Sequence, residues 1–216
     1  MRRLWPEPAE GVIADDLVAP SEAPGGRPWV SAMMVSSLDG RATLGGTSRR
    51  LGGPQDLQML LALRRRADAL LVGPGTVRAE GYGPLPCPAV LVSRSFDLPW
   101  EAGLFAAEGQ PVLVYTLAGT ETPAVAAHVE TVPYVALPDV LADLRERGVE
   151  RLLCEGGPTV NRALLTERLL DELYLTLSPV ISGEDGPPIL AGGGSAALAL
   201  RSVATADGDL YLRYSV

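Results

Sequence analysis

The chain is 216 residues long, with 47% hydrophobic and 20% charged residues, proportions of a folded domain with a sizeable core rather than a disordered one. Its formal net charge of −8 argues against nonspecific nucleic-acid binding. No apolar run reaches the roughly 18 residues of a membrane span.

Residues 1–27 are rich in Pro and Gly and carry Glu7, Glu10, Asp15 and Asp16, unlike a secretory signal, and are expected to wrap the surface. Trp29 to Ser36 predicts a first strand, followed by a Gly-rich loop to Gly53 and a helix opened by Pro54 with apolar positions Leu57, Leu60, Leu61 and Leu63. Strands are predicted at 69–72, 89–92 and 112–116, a helix between Thr122 and His128, and a strand near Val129–Leu137. Pro138 starts a helix with an apolar face of Val140, Leu141 and Leu144, closed by Gly148. A strand at 151–154 and a helix at 158–168 follow. Asp171–Ser178 alternates, with Leu173, Leu175 and Leu177 on one face. Leu198–Ala206 and Asp209–Val216 pair around Asp207-Gly208, a strong hairpin signal. Strands alternating with helices, closed by an antiparallel hairpin, predict an α/β three-layer fold with a mostly parallel sheet. No linker separates two domains, so residues 1–28 read as an N-terminal segment and 29–216 as a single domain.

Absences narrow the chemistry. All 18 basic residues are arginine, which excludes lysine Schiff bases and a Walker lysine. The one histidine, His128, has no companions for a zinc site or a Ser-His-Asp triad, so no metal is expected. Cys87 and Cys154 show neither metal nor disulfide spacing, in keeping with a cytoplasmic chain. The chemistry is therefore expected to come from a bound cofactor.

Two junctions suggest where that cofactor sits. Arg151–Cys154 runs into Glu155-Gly156-Gly157-Pro158-Thr159-Val160, a strand, a glycine pair and a helix start whose unpaired N–H groups suit a phosphate. Glu155 stands at its mouth: either a solvated turn residue, or a carboxylate for a second ligand with N–H donors. Ala67–Val72 runs into Gly73-Pro74-Gly75-Thr76 in the same way, although Arg78 spoils a dinucleotide fingerprint. Parallel strands would bring both junctions to one carboxyl edge. Residues 41–94 also hold eight arginines against three acids, Asp56, Asp68 and Glu80, as a localised anionic ligand would require. Ser93-Arg94, after the 89–92 strand, offers a hydroxyl and a guanidinium to an adenosine 2′-phosphate, favouring NADPH over NADH.

The segments VSSLDGRATLGG (35–46), ADALLVGPGTVRAEGYGPL (67–85), LLCEGGPTVNRALL (152–165) and DELYLTLSPVISG (171–183) resemble the pyrimidine reductases of riboflavin biosynthesis. These form the reductase domain of the bacterial bifunctional deaminase–reductase and share a dihydrofolate-reductase-like fold. The resemblance covers residues 29–216 without the zinc deaminase half, and implies a reductase-only chain. It implies an NADPH-dependent homodimer that reduces the ribosylamino side chain of a 5-aminouracil to ribitylamino.

By matching positions, Thr76, Glu80, Ser93 and the turn Gly157–Val160 would contact the cofactor, with Ser36 and Arg50 beside it. Gly73, Arg94, Gly156, Pro158 and Thr159 complete the expected cofactor set. Ser48, Arg64, Leu85 and Glu155 would face the substrate, Arg64 gripping a sugar phosphate and Glu155 accepting pyrimidine N–H groups. Glu155 and Asp39 are the catalytic candidates, although Asp39 equally suits a cap on its own Gly-rich turn. Two departures bear on the substrate. Glu80-Gly81-Tyr82-Gly83-Pro84 is one residue longer than the usual Asp-Asn-Pro, and Met33 stands where several bacterial members carry Lys. Reduction of dihydrofolate or another pterin, and an NADP(H) sensor without turnover, stay open as alternatives.

Overall fold

The computed structural model describes residues 1–19, 21–117, 121–134, 136–192 and 195–216. The elements run β1 (Arg2–Trp5), α1 (Ala14–Leu17), β2 (Trp29–Ser36), α2 (Pro54–Arg64), β3 (Ala69–Leu71), α3 (Pro74–Glu80), β4 (Ala89–Val92) and α4 (Gly103–Ala106). They continue with β5 (Pro111–Thr116), β6 (His128–Pro133), α5 (Leu137–Glu146), β7 (Arg151–Cys154), α6 (Pro158–Thr166), β8 (Glu172–Leu177), β9 (Ala199–Ala206) and β10 (Asp209–Ser215). A 3-10 turn covers Ser48–Arg50.

All the strands join one sheet in the order β1-β9-β10-β8-β2-β7-β3-β4-β5-β6. From β8 through β6 every pairing is parallel, and β8-β10, β10-β9 and β9-β1 are antiparallel. The expected mostly parallel α/β sheet with a closing hairpin is therefore present. Its turn is Asp207-Gly208, with φ of +54° and +92° at the two positions, the backbone a tight hairpin turn demands.

Parallel strands must be covered on both faces, and the burial pattern shows how. On one face Val30, Ala32, Leu71, Val90 and Leu152 pack with Val140, Leu141 and Leu144 of α5 and Leu164 of α6. The opposite face is covered in two parts. Leu70, Leu153, Tyr174 and Tyr211 meet α1 and α2, while Ala89, Leu91, Val112 and Val114 meet Val77 of α3 and Leu104 and Phe105 of α4. Among the described residues no helix is long and apolar enough to cross a membrane.

Several expectations are corrected. Residues 121–127 form no helix; at their end Ala127 N–H bonds Phe105 O at 3.0 Å and Gly109 N–H bonds Ala126 O at 3.2 Å, which ties Ala126 and Ala127 to α4 and the turn after it. The short helix α4 was not foreseen. In α2 the buried stripe is Met59, Ala62 and Leu63, while Leu57 and Leu61 are exposed, Leu57 at the edge of a cavity. The N-terminal segment does more than wrap the surface: β1 extends the sheet, and Val12, Ala14, Leu17 and Val18 enter the core. In β8 the more buried side chains are Glu172, Tyr174 and Thr176, leaving Leu173, Leu175 and Leu177 half-buried on the other face.

Candidate active site

The two Gly-rich junctions meet. β7 lies between β2 and β3, so Glu155-Gly156-Gly157 and Gly73-Pro74-Gly75 leave adjacent strands at the same carboxyl edge. Gly73 N–H donates to Gly156 O at 2.7 Å. A Cβ at Gly73 would stand 3.1 Å from Gly157 N, and one at Gly157 would stand 2.7 Å from Thr76 Oγ1. No larger side chain fits where the loops cross. Gly156 has φ +86° and the Gly156–Gly157 peptide is cis. Gly-Pro opens both α3 and α6, with proline in the first turn where its missing N–H is harmless.

A cleft of about 510 Å³ lies outside this edge. Its walls are the turn Gly73–Thr76 and the turn Gly157–Val160; Met33, Met34, Val35 and Val92 give it an apolar lining. A second cavity of about 570 Å³ adjoins it, lined by Arg64, Leu85 and Pro84 among others. Ser48, Asp56, Leu60, Glu80 and Tyr82 line both. The expected substrate residues Ser48, Arg64 and Leu85 thus gather around the second cavity, and Glu155 lines the first.

At the junction Arg64 and Glu155 form a bidentate pair, Nε to Oε1 at 2.7 Å and Nη2 to Oε2 at 2.6 Å. The Tyr82 hydroxyl donates to Oε2 at 2.6 Å, and the Arg64 guanidinium lies 5.7 Å from the Tyr82 ring centroid. Glu155 is buried. Burial opposes the charge on Arg64, but the hydrogen bonds and charge of Glu155 outweigh it and raise the guanidinium pKa. Burial, then the Glu155 charge, pushes the Tyr82 phenol well above its ordinary value, so Tyr82 is a fixed donor. Nothing in the sequence signalled Tyr82; its only mark is the longer loop after Glu80.

The other expected residues separate into two groups. Glu80 lines the cleft, but its carboxylate accepts from Thr47 Oγ1 at 2.8 Å and Ser48 N–H at 2.7 Å, tying the 47–50 turn to the end of α3. Asp39 lines neither cavity. It accepts from Ser37 Oγ at 2.6 Å and from the N–H groups of Ser182 and Gly183, both at 2.9 Å. The Ser37 bond first, then these backbone donors, hold it well below the usual carboxylate range. Of the two roles open to Asp39, the structure supplies the loop clasp.

Ser36 is buried at the end of β2 and donates to Ser37 O at 2.9 Å. The Arg50 guanidinium rests against Gly45, outside both cavities. Ser93 follows the cleft residue Val92 and is buried; Arg94 beyond it is exposed and forms no ion pair with the described residues. Cys154 is fully buried and Cys87 half-buried, and both are free thiols. Among the described residues no cluster of three His, Cys, Asp or Glu side chains could hold a metal.

The chain that builds this cleft is similar to known proteins. The family described as the RibD C-terminal domain matches residues 28–212. The chain is 28% identical over 229 residues to the 2,5-diamino-6-ribosylamino-4(3H)-pyrimidinone 5′-phosphate reductase of Methanothermobacter thermautotrophicus, covering 88% of this chain and 99% of the relative. A pyrimidine reductase-like protein from Corynebacterium diphtheriae superposes with a TM-score of 0.79 at 26% identity, over 95% of this chain and 99% of that one. Dihydrofolate reductase from Enterococcus faecalis, at 15% identity and a TM-score of 0.53 over 87% of this chain and 95% of its own, shares the fold alone. With that match across residues 28–212, the chain belongs to the RibD C-terminal domain family.

Proposed function

We propose that the protein is an NADPH-dependent reductase of riboflavin biosynthesis that converts the ribosylamino side chain of a phosphorylated aminopyrimidine to ribitylamino. The observation that carries this reading is the Arg64–Glu155 pair at the junction of two cavities, one walled by crossed glycine turns and the other by polar loops. The pyrimidine is the 5-aminouracil or the 2,5-diaminopyrimidinone named for the Methanothermobacter relative.

The first cavity fits the cofactor. A Cβ at Gly75 would meet nothing within 4 Å, leaving open space for a bulky anion against the backbone. The start of α6 points its free N–H groups into the same cleft, and Met33, Met34 and Val160 offer an apolar seat for a nicotinamide ring. Arg94 and Ser93 stand at the next strand end for a 2′-phosphate. NADPH, when bound, supplies the hydride.

The protein's own part is placement. Arg64 is the guanidinium that would exchange Glu155 for the sugar phosphate, releasing carboxylate oxygens to ring N–H groups; Ser48 and Leu85 complete the wall. Glu155 thereby fixes the pyrimidine with its sugar C1 turned toward the first cavity. With both ligands bound, the walls would bring the reacting carbons together and displace water from between them.

The active form is a cytoplasmic homodimer. Leu175, Leu177, Val203, Leu210 and Leu212 share the half-buried face of β8, β9 and β10 and join none of the core clusters, an apolar surface suited to a second copy.

The test is loss of NADPH absorbance with the ribosylaminopyrimidine, its 5′-phosphate and dihydrofolate in parallel. Turnover of the phosphorylated pyrimidine supports the reading. Oxidation with dihydrofolate alone makes it a pterin reductase, and NADPH binding without oxidation makes it a sensor.

A further inference from the structure

Asp56 is the third residue of α2 and lines both cavities. Its Oδ1 is buried with no hydrogen-bond partner among the described residues. The Thr176 hydroxyl of β8, itself buried, is the side chain that approaches this carboxyl, without a well-formed hydrogen bond. The neighbouring carboxylates are committed, Glu155 to Arg64 and Tyr82, Glu80 to Thr47 and Ser48. Asp56 is thus the carboxyl on the wall shared by the two cavities that is held by neither a cation nor a backbone N–H, and it stands where the substrate's sugar linkage would pass between them.

We propose that Asp56 is a catalytic residue, the carboxylic acid that gives a proton to the side-chain nitrogen of the ring-opened substrate as the adjacent sugar carbon is reduced. The assignment rests on the pyrimidine-reductase reading above. In the step, hydride from the nicotinamide cofactor forms a C–H bond at C1 and the C=N π pair moves onto nitrogen. That nitrogen takes the proton of Asp56, leaving a secondary amine and a carboxylate. Solvent reprotonates the carboxylate between turnovers.

The surroundings favour the neutral acid. Burial first, and then the charge of Asp209, raise the Asp56 pKa above its ordinary 3.8, with Thr176 acting in the opposite sense. From β10 it faces Asp209 and Tyr211, and around the cavities stand Glu80, Tyr82, Glu155 and Arg64. Of the cations that line the cavities, Arg64 is matched by Glu155 and Arg49 lies 3.9 Å from the Glu80 carboxylate.

Asp56→Asn keeps the shape and hydrogen-bonding capacity but carries no acidic proton. Expected is a fall in kcat of about 100-fold with NADPH affinity unchanged, the loss typical of removing a general acid. The wild-type kcat should decline as pH rises through the raised pKa, and this limb should vanish in the variant. An infrared difference spectrum, wild type minus variant on the acid side of that limb, should show a protonated carboxyl C=O band. Wild-type kcat with an unchanged pH profile in Asp56→Asn overturns the proposal, as does absence of the band. A wild-type enzyme inert toward the pyrimidine sinks the substrate reading instead. The band then decides Asp56 separately: present, it supports a proton-donating acid in the cleft; absent, it removes one.

Discussion

Arg64, at the end of α2, and Glu155, at the end of β7, hold each other through two hydrogen bonds of 2.7 and 2.6 Å across 91 residues of sequence. Both side chains are largely withdrawn from water, at 19% and 4% exposure. Such a pair is more expensive to break than to delete. Arg64→Met leaves a buried carboxylate with only Tyr82 and should lower stability by about 3 kcal/mol in urea unfolding. The double variant Arg64→Met/Glu155→Leu should recover most of that loss while remaining inactive. A double variant no more stable than the single one would show that the pair contributes net stability.

Glu155→Gln separates binding from turnover. The amide retains volume and one acceptor, but faces Arg64 without charge and cannot satisfy two pyrimidine donors. NADPH affinity should be preserved, since the glycine turns are untouched, while kcat/KM for the pyrimidine falls by about 100-fold, equivalent to the ~2–3 kcal/mol of a lost charged hydrogen bond. Equal activity would make the carboxylate a bystander.

The crossed glycine turns give a steric test. A Cβ at Gly157 would lie 2.7 Å from Thr76 Oγ1, closer than any relaxed contact. Gly157→Ala should therefore push the start of α6 away from α3, weaken NADPH binding by about tenfold and lower Tm by a few degrees, an overpacking cost of about 1–3 kcal/mol. Adding Thr76→Ala removes the opposing oxygen and should return most of the Tm. Failure of that rescue would place the strain elsewhere.

Much of this edge was legible because strand, glycine and proline are local signals. The run Leu152–Cys154 and the pair Gly156-Gly157 predict a strand and a helix mouth without tertiary knowledge, and both are present. Parallel pairing then dictates that the two mouths share an edge. What stayed hidden depends on distant partners. Tyr82 reaches Glu155 across 73 residues, and Asp56 gains its character from burial under β8 and β10. The 121–127 segment is a similar case: alanines favour helix, yet Ala126 C=O and Ala127 N–H are taken by Gly109 and Phe105. Alternation puts Leu173, Leu175 and Leu177 on one face, but periodicity does not say which face the core occupies.

Asp56 and Asp209 predict an inverted response to pH. Burial first raises both pKa values above 3.8. The folded chain then keeps protons that the unfolded chain releases, so their contribution to stability is present below the ordinary value and is lost as pH rises through the raised ones. Asp209→Asn should leave Tm unchanged near pH 4 and raise it at about pH 8, compared by thermal unfolding across that range. A shift of equal size at both ends would show that Asp209 titrates at its ordinary value in the fold.

Arg94 tests cofactor choice. It is exposed after β4 and makes no ion pair with the described residues, so its removal should cost the fold little. Arg94→Ala should weaken NADPH by at least about tenfold through loss of a charge-assisted phosphate contact, and leave NADH binding unchanged. Equal losses for both nucleotides would remove Arg94 from the 2′-phosphate.

The apolar face of the hairpin side of the sheet tests assembly. In the register Leu210 opposes Leu177 and Leu212 opposes Leu175, so four leucines form a compact patch on one face, with Val203 opposite Leu212 on the next strand. None belongs to the core clusters, whereas their neighbours Tyr174 and Tyr211, on the opposite face, are buried under α1 and α2. A patch of this kind in water drives association in proportion to the apolar area it removes. Leu212→Glu places a charge at its centre and cannot disturb the face that carries Tyr211. Wild type should elute as a dimer in light scattering at micromolar concentration, and Leu212→Glu as a folded monomer with an unchanged far-ultraviolet circular dichroism spectrum. A wild-type monomer would refute the interface. A variant that stays dimeric would move it to another surface.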